Sequence, residues 1–350
     1  VTLLRGSLQR RPPLGEALPP PVRAQLERIG LGAVLRQPAH RRVPGTVSTW
    51  GTDEPVTVDH LMSPYGDGVQ LDRRRFDDGL VTQATEHGVR VVAAPRSAWP
   101  DLVAGAKGLM IAVDATGRAA MVARAHGAVP DRRDRLVAVV GILAAGSRLA
   151  DEEGRVLVSS TRDGWWVSVL LPDGRRVAAF HTDRDLLDAR LRTDARAWFD
   201  RLLAAPVIGP IVERTGRRPP SRLHVVAADS RRLRWPESRH PGIAWHEGRS
   251  AILAVGDAEM AYDPLSSAGI GAAIASAEDA VPVIEAIFGS RSARVGEALA
   301  IRAIASDARW QGYRARLREA YRAERRWLGD AFWARRSREP DAGGSSARAP

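Results

Sequence analysis

The chain has 350 residues, 44% of them hydrophobic, with 52 basic and 41 acidic residues, a formal charge of +11 and no cysteine. That length allows one large domain or two ordinary ones, and the composition is globular rather than disordered. Absent cysteine excludes a disulfide framework, a thiolate metal site and a cysteine nucleophile. No run of about 18 apolar residues marks a membrane span, and the start lacks a signal-peptide apolar region, so a cytoplasmic protein is expected. The basic residues are nearly all arginine, with Lys107 the only lysine, and are interleaved with Asp and Glu along the chain. Without a nucleic-acid-binding motif this charge predicts a solvated surface and no specific nucleic-acid partner.

In chain order, Val1 to Leu4 reads as a short buried strand and Arg10 to Pro21 as a Pro-rich loop. Pro21 to Leu35 has helical spacing, and Gly45 to Asp72 suggests irregular strands and loops. Arg73 to Gly88 predicts an amphipathic helix stopped by a glycine, followed by strands at Val89 to Val92 and Leu109 to Val113. A β-rich stretch follows: Leu136 to Leu143, Val156 to Ser160, Gly164 to Leu171, Arg176 to His181 and Leu223 to Ala228. Asp173-Gly174 is a hairpin signal inside it, and Asp183 to Leu203 reads as inserted helices. Ala251 to Val255 is a buried strand, Ala268 to Phe288 a helix of small residues bent or interrupted near Pro282, and Gly296 to Arg336 helical. Glu339 to Pro350 has the composition of a disordered tail.

The chemistry concentrates at Gly256 to Ile270. A strand ends in Gly256-Asp257, where glycine lets the backbone approach a ligand and aspartate can accept from a ribityl or ribose hydroxyl. Asp263-Pro264 turns the chain, and Gly269 and Ile270 open a helix whose free amides and positive dipole end suit a pyrophosphate or the electron-rich edge of a reduced flavin. Taken singly, Gly-Asp and Asp-Pro are ordinary turn dipeptides; their order here is what points to a site. The eight histidines show no metal-ligand spacing, read as loop or surface residues, and no metal site is expected. Trp165 and Trp166 offer an aromatic wall to a substrate, and adjacent strand positions let at most one of them face it; core packing is the alternative.

The segment resembles the second FAD motif of flavin monooxygenases of the aromatic-hydroxylase and tryptophan-halogenase superfamily. Gly15-Glu16-Ala17-Leu18-Pro19-Pro20 resembles the loop that runs beside the flavin, Leu71 to Asp77 the following family helix, Val113 to Arg118 the Asp-Ala-Thr-Gly turn, and Gly164 to Ser168 the substrate-domain strands. The likeness is greatest to halogenase-like maturases of peptide-derived quinone cofactors.

The resemblance implies an α/β fold: a Rossmann-like FAD-binding domain with an inserted β-sheet substrate domain and C-terminal helices. The expected boundaries are 1–132 and 246–290 for the two parts of the FAD domain, 133–245 for the substrate domain, 291–338 for the helical segment and 339–350 for the tail. The cofactor residues implied are Gly15, Glu16, Ala17, Gly256, Asp257, Pro264, Ser267, Gly269 and Ile270, with no catalytic base identified. FAD is the implied cofactor, with NAD(P)H or a flavin reductase supplying electrons, and an aromatic small molecule or peptide the implied substrate.

Two departures stand out. The family's opening Gly-x-Gly-x-x-Gly is not in the sequence, and Arg5 stands where an acidic ribose ligand is expected. Either the FAD domain is N-terminally incomplete, with its first βαβ unit truncated, or this is a degenerate, non-catalytic flavoprotein with a binding role. No lysine lies between Gly15 and Ala106, and Lys107 is a poor candidate for the halogenase lysine. Hydroxylation is therefore expected ahead of halogenation or a reductase reaction.

Overall fold

The computed structural model describes residues 1–6, 13–104, 110–146, 154–236, 243–246, 250–289 and 292–337. Lys107 and the 339–350 tail lie outside them.

The β-rich stretch forms most of a seven-stranded sheet, ordered Leu223–Ala227, Leu136–Leu143, Arg176–Asp183, Gly164–Leu170, Val156–Thr161, Gly45–Thr49 and Val56–Asp59. Its pairings are antiparallel except between Gly45–Thr49 and Val156–Thr161. Strands from the first 132 residues thus complete a sheet built mainly from 133–245. The Asp173-Gly174 turn forms as expected: Gly174 takes φ +84° and the Leu171 N–H donates to Arg175 O at 2.8 Å.

Side chains alternate across this sheet. Trp166, Phe180 and Val139 pack on one face against Trp198, Phe199 and Leu202 of the Ala195–Leu203 helix. Trp165, Ala179 and Val140 face the other way, against Tyr321, Phe332 and Trp333 of the C-terminal helices. Helices on both faces make every residue of Arg176–Asp183 buried.

The Rossmann-like part holds two small parallel pairings. Met110–Asp114 pairs with Ser250–Ala254, and Thr2–Arg5 pairs with Arg90–Ala93. Both feed one cluster, in which Leu4 and Ala112 pack with Trp99, Ile252, Ala254 and Ala258. The first strand corrects an expectation: Thr2 and Leu3 are exposed rather than buried, because among the described residues the strand has one neighbour.

The Gly269–Phe288 helix runs unbroken through Pro282. Proline removes one N–H, but Val283 and Ile287 are buried against Ala251, Leu253, Val295 and Leu299, and that packing outweighs a single lost hydrogen bond. The predicted 296–336 helix is instead two, Ser292–Ala323 and Ala331–Ser337. The break is fixed by Glu324, which is fully buried and accepts from the Gly51 N–H at 2.8 Å and the Ser160 hydroxyl at 2.6 Å. Among the described residues no helix is long and apolar enough to cross a membrane.

Candidate functional site

The Ser250–Ala254 strand delivers the chain to Gly256, which adopts φ +58°. A Cβ there would sit 3.2 Å from the Ala273 Cβ, so glycine answers both the left-handed backbone and the close helix behind it. The Gly256 N–H donates to Ser276 Oγ at 2.7 Å, tying the strand end to the Gly269–Phe288 helix. Asp257 projects from this turn with a side chain 40% exposed, and its carboxylate lies 3.9 Å from Arg118 Nε. Arg118 is itself held by Asp229 and by the Tyr262 carbonyl at 3.0 Å.

Asp263 begins the second turn. Its carboxylate accepts from the Leu265 N–H at 2.9 Å and caps Pro264–Ser266. Ser267 then takes φ +48°, a left-handed conformation unusual for serine, and the helix opens at Gly269. The helix has no side-chain cap, and its first internal bond runs from the Ala272 N–H to Ala268 O. A Cβ on Gly269 would meet nothing within 4 Å, so there is open space beside the start of the helix. Ile270 points back into the cluster of Leu18, Val22 and Phe76, so its amide and not its side chain is available to a ligand.

The Gly15-Glu16-Ala17 loop closes from the other side. Gly15 takes φ +81°, and a Cβ there would fall 2.3 Å from Val169 Cγ2 on the large sheet. Gly15→Ala is expected to cost about 2 kcal/mol from the strained backbone and overpacking. Val169→Ala in the same chain should recover part of it, as urea denaturation will measure. The Glu16 carbonyl accepts from the Leu71 N–H at 3.0 Å, and Ala17 pairs with Gln70. The Glu16 carboxylate lies 3.5 Å from Arg73, and Arg73 also feels the charge of Asp257. Arg73 pairs with Glu16 and Arg118 with Asp257, and the Asp257 charge also reaches Arg73, so the Gly15-Glu16 loop and the Asp257 turn lie near one another. Arg73 belongs to the Arg73-Arg74-Arg75 run that opens a predicted helix, for which the sequence offers either a solvated face or one member near the flavin; Arg118 ends the Asp-Ala-Thr-Gly turn and is not singled out by sequence beyond that.

Behind this region lies a buried polar network. Asp263 Oδ2 accepts from the Tyr321 hydroxyl at 2.7 Å, and the Asp263 N–H donates to Tyr313 Oη at 2.8 Å. Burial, reinforced by the nearby Asp134, pushes the Asp263 carboxyl up to about 6. The Trp165 indole N–H donates to Tyr321 Oη at 3.2 Å, and its ring stacks on His181 at 3.8 Å. His181 was expected as a loop or surface residue; its place in a doubly covered strand buries it and depresses it to about 3, so it is a neutral ring. The tryptophan pair splits as strand geometry requires, and both rings are almost wholly buried. Trp165 is the one on the Asp263 side, and Leu265 packs into its cluster. A cleft of about 390 Å³ opens beside the network, lined by Arg133, Asp134, Arg135, Asp183, Arg335 and Arg336. No group of three or more potential metal ligands gathers among the described residues.

No family model matches the chain. LodB of Marinomonas mediterranea, assigned as an FAD-dependent oxidoreductase, is 25% identical over 306 residues, 83% of this chain and 77% of the relative. Among solved structures, the peptidyl tryptophan dihydroxylase QhpG, essential for tryptophylquinone cofactor biogenesis, matches with a TM-score of 0.72 at 22% identity, over 98% of this chain and 74% of its own. The myxobacterial chondrochloren halogenase CndH, an FAD-dependent halogenase, matches with a TM-score of 0.76 at 21% identity, over 97% and 81%. The chain thus shares the fold of these flavin-dependent proteins and is similar in sequence to an FAD-dependent oxidoreductase.

Proposed function

We propose that the chain is a flavin-dependent hydroxylase acting on an aromatic substrate, with a tryptophan side chain carried in a peptide as the favoured one. The carrying observation is the start of the Gly269 helix, uncapped by any side chain, with open space beside Gly269 and reached from the Asp257 turn within one continuous segment. Its partners' chemistry fits the flavin and ribityl end of FAD: a dipole end for an electron-rich ring edge, and a carboxylate acceptor for hydroxyls. The residues we assign to FAD are Gly15, Glu16, Ala17, Gly256, Asp257, Pro264, Ser267, Gly269 and Ile270.

When bound, FAD supplies dioxygen activation and oxygen transfer. The chain's own part is to place and to exclude. The amides at Gly269 and Ile270 set the ring position, Asp257 takes a hydroxyl proton in a hydrogen bond, and Arg118 and Arg73 hold the carboxylates in place. The Trp165 side of the large sheet, with Leu265, forms an apolar floor that keeps water away from the reacting edge. The arginine-lined cleft offers donors to the carbonyls of a peptide substrate. The likeness to a peptidyl tryptophan dihydroxylase supports the peptide reading. We place the reaction in the cytoplasm, with NAD(P)H or a reductase partner as the electron source.

The purified protein should take up FAD and show the visible flavin absorption, and Asp257→Ala should weaken FAD retention about tenfold or more, the worth of one hydrogen bond to a charged acceptor. A colourless protein that takes up no added FAD would overturn the reading and favour a non-catalytic binding role. Incubation with reductant, oxygen and a tryptophan peptide should add oxygen to the indole. A halogen-bearing product would move the assignment to halogenation, and alkene reduction without oxygen uptake to a reductase.

A further inference from the structure

An aromatic path runs from Asp263 to the surface, and of its members only Trp165 has a part in the proposed site. Tyr321 donates its phenolic proton to Asp263 Oδ2 at 2.7 Å and accepts from the Trp165 indole at 3.2 Å. Its ring centroid lies 6.0 Å from Trp50 and 5.8 Å from Trp333. Trp50 and Trp333 are 5.2 Å apart, Trp50 and Trp165 6.3 Å, and Trp333 and Trp327 6.0 Å. Tyr321, Trp165 and Trp333 are buried, whereas Trp50 and Trp327 are half-buried and reach solvent.

Two indole N–H groups of the path are pinned to carbonyls. Trp50 donates to Ala320 O at 2.8 Å and Trp333 to Thr161 O at 2.9 Å, so the rings keep their separations. Such spacings permit rapid electron tunnelling between neighbouring rings. Packing alone explains stacked aromatics. It does not explain why the innermost phenol is bonded to a buried carboxylate able to take its proton, while the line ends at indoles in contact with water.

We infer that Tyr321, Trp165, Trp50, Trp333 and Trp327 form a one-electron relay that carries oxidising equivalents from the Asp263 side of the site to the protein surface. The oxidant is an oxygen-centred radical of the class that incomplete dioxygen reduction releases. It takes one electron from Tyr321 and one proton from solvent, a hydroxyl radical becoming water. In the same step the Tyr321 proton passes to Asp263 Oδ2, which leaves a neutral phenoxyl radical and a neutral carboxylic acid. An electron from Trp50 or Trp333 refills Tyr321, the proton returns from Asp263, and the hole travels as an indole cation radical to Trp327. There a soluble thiol gives up one electron and its proton, and two thiyl radicals couple to a disulfide. Arg326 lies over Trp327 at 4.2 Å and Arg336 over Tyr321 at 5.3 Å, which opposes positive charge on those rings. Both cations are paired, with Glu324 at 2.6 Å and Asp183 at 2.6 Å.

The relay rests on the proposed function only for the source of its oxidant, and it is testable without flavin. The full chain, without added flavin, is oxidised by pulse-generated azidyl radicals, which attack accessible tryptophan. The expected result is a partial rise of the phenoxyl absorption as the indole radical relaxes to equilibrium with it, at a rate independent of protein concentration, and loss of both absorptions when a soluble thiol drains the surface indole. Tyr321→Phe should abolish that rise while Tyr65→Phe and Tyr313→Phe keep it, with circular dichroism confirming that each variant folds. Asp263→Asn should slow the rise and diminish its solvent isotope effect. A phenoxyl rise that survives intact in Tyr321→Phe, or no rise in the parent, overturns the relay. A chain that binds no FAD but passes this test keeps the relay and loses the hydroxylase reading; one that binds FAD and fails it does the reverse.

Discussion

Arg302→Ala is expected to destabilise the protein by about 3 to 5 kcal/mol, the cost of breaking a buried ion pair from one side. Arg302 and Glu259 face each other at 3.5 Å, and both side chains are 2% exposed. The guanidinium also donates to the Ala254 carbonyl at 2.6 Å and the Ser276 carbonyl at 3.1 Å. One side chain therefore joins the Ser292–Ala323 helix to the strand that delivers Gly256 and to the helix that presents Gly269. Removing it leaves the buried Glu259 charge without its counterion and takes one donor from each of two carbonyls, so desolvation that was compensated no longer is. Glu259 would keep only the Ser306 hydroxyl, at 2.8 Å. Glu259→Gln in the Arg302→Ala background should restore part of the loss, because the orphaned charge is then gone. Urea denaturation of the two single variants and the double variant measures this directly. Additive losses would show that the pair acts independently, and the cycle would then put the cost on the two carbonyls.

The sequence order of strand, Gly-Asp, Asp-Pro and helix made the core of the site legible, because each step has a local physical cause. Gly256 must be left-handed, Asp263 caps the turn after it, and small residues let the Gly269 helix lie close to the strand. Local causes also settled the Asp173-Gly174 hairpin and the opposite facing of Trp165 and Trp166. What escaped was long-range. Gly45–Thr49 lies about a hundred residues from its parallel partner at Val156–Thr161, and no pattern within either strand names the other. Arg302 reads as one more arginine on an arginine-rich helix; only burial distinguishes it. The Tyr321–Asp263 bond joins two segments 58 residues apart, and Pro282 obeys tertiary packing instead of its own helix-breaking tendency. The pairing of Arg73 with Glu16 and of Arg118 with Asp257 is hidden for the same reason, since each joins segments far apart in the chain.

Asp263 makes the stability of the fold depend on pH in a direction opposite to that of a salt-bridged carboxylate. Its native carboxyl titrates at about 6 against an ordinary 3.8, with burial the main cause and Asp134 adding to it. The folded state therefore holds this proton more tightly than the unfolded chain does. Below about pH 4 both states are protonated, and the contribution to stability is fully present. As pH rises toward 6 the unfolded chain releases its proton first, so folding is progressively disfavoured, by about 3 kcal/mol for a difference of two units. Above pH 6 both states are ionised and the loss levels off. Asp263→Asn removes the titration but keeps a carbonyl to accept from the Leu265 N–H and an amide that can meet Tyr321 Oη. The expected outcome is that the stability gap between variant and parent moves in the variant's favour between pH 4 and 7, then stays constant to pH 8. Urea midpoints taken at half-unit steps decide it. A gap that does not change with pH would mean that Asp263 titrates near its ordinary value. Its bond to Tyr321 would then be strong enough to hold the charge inside the protein, and the turn that opens the Gly269 helix would carry a permanent anion at its base.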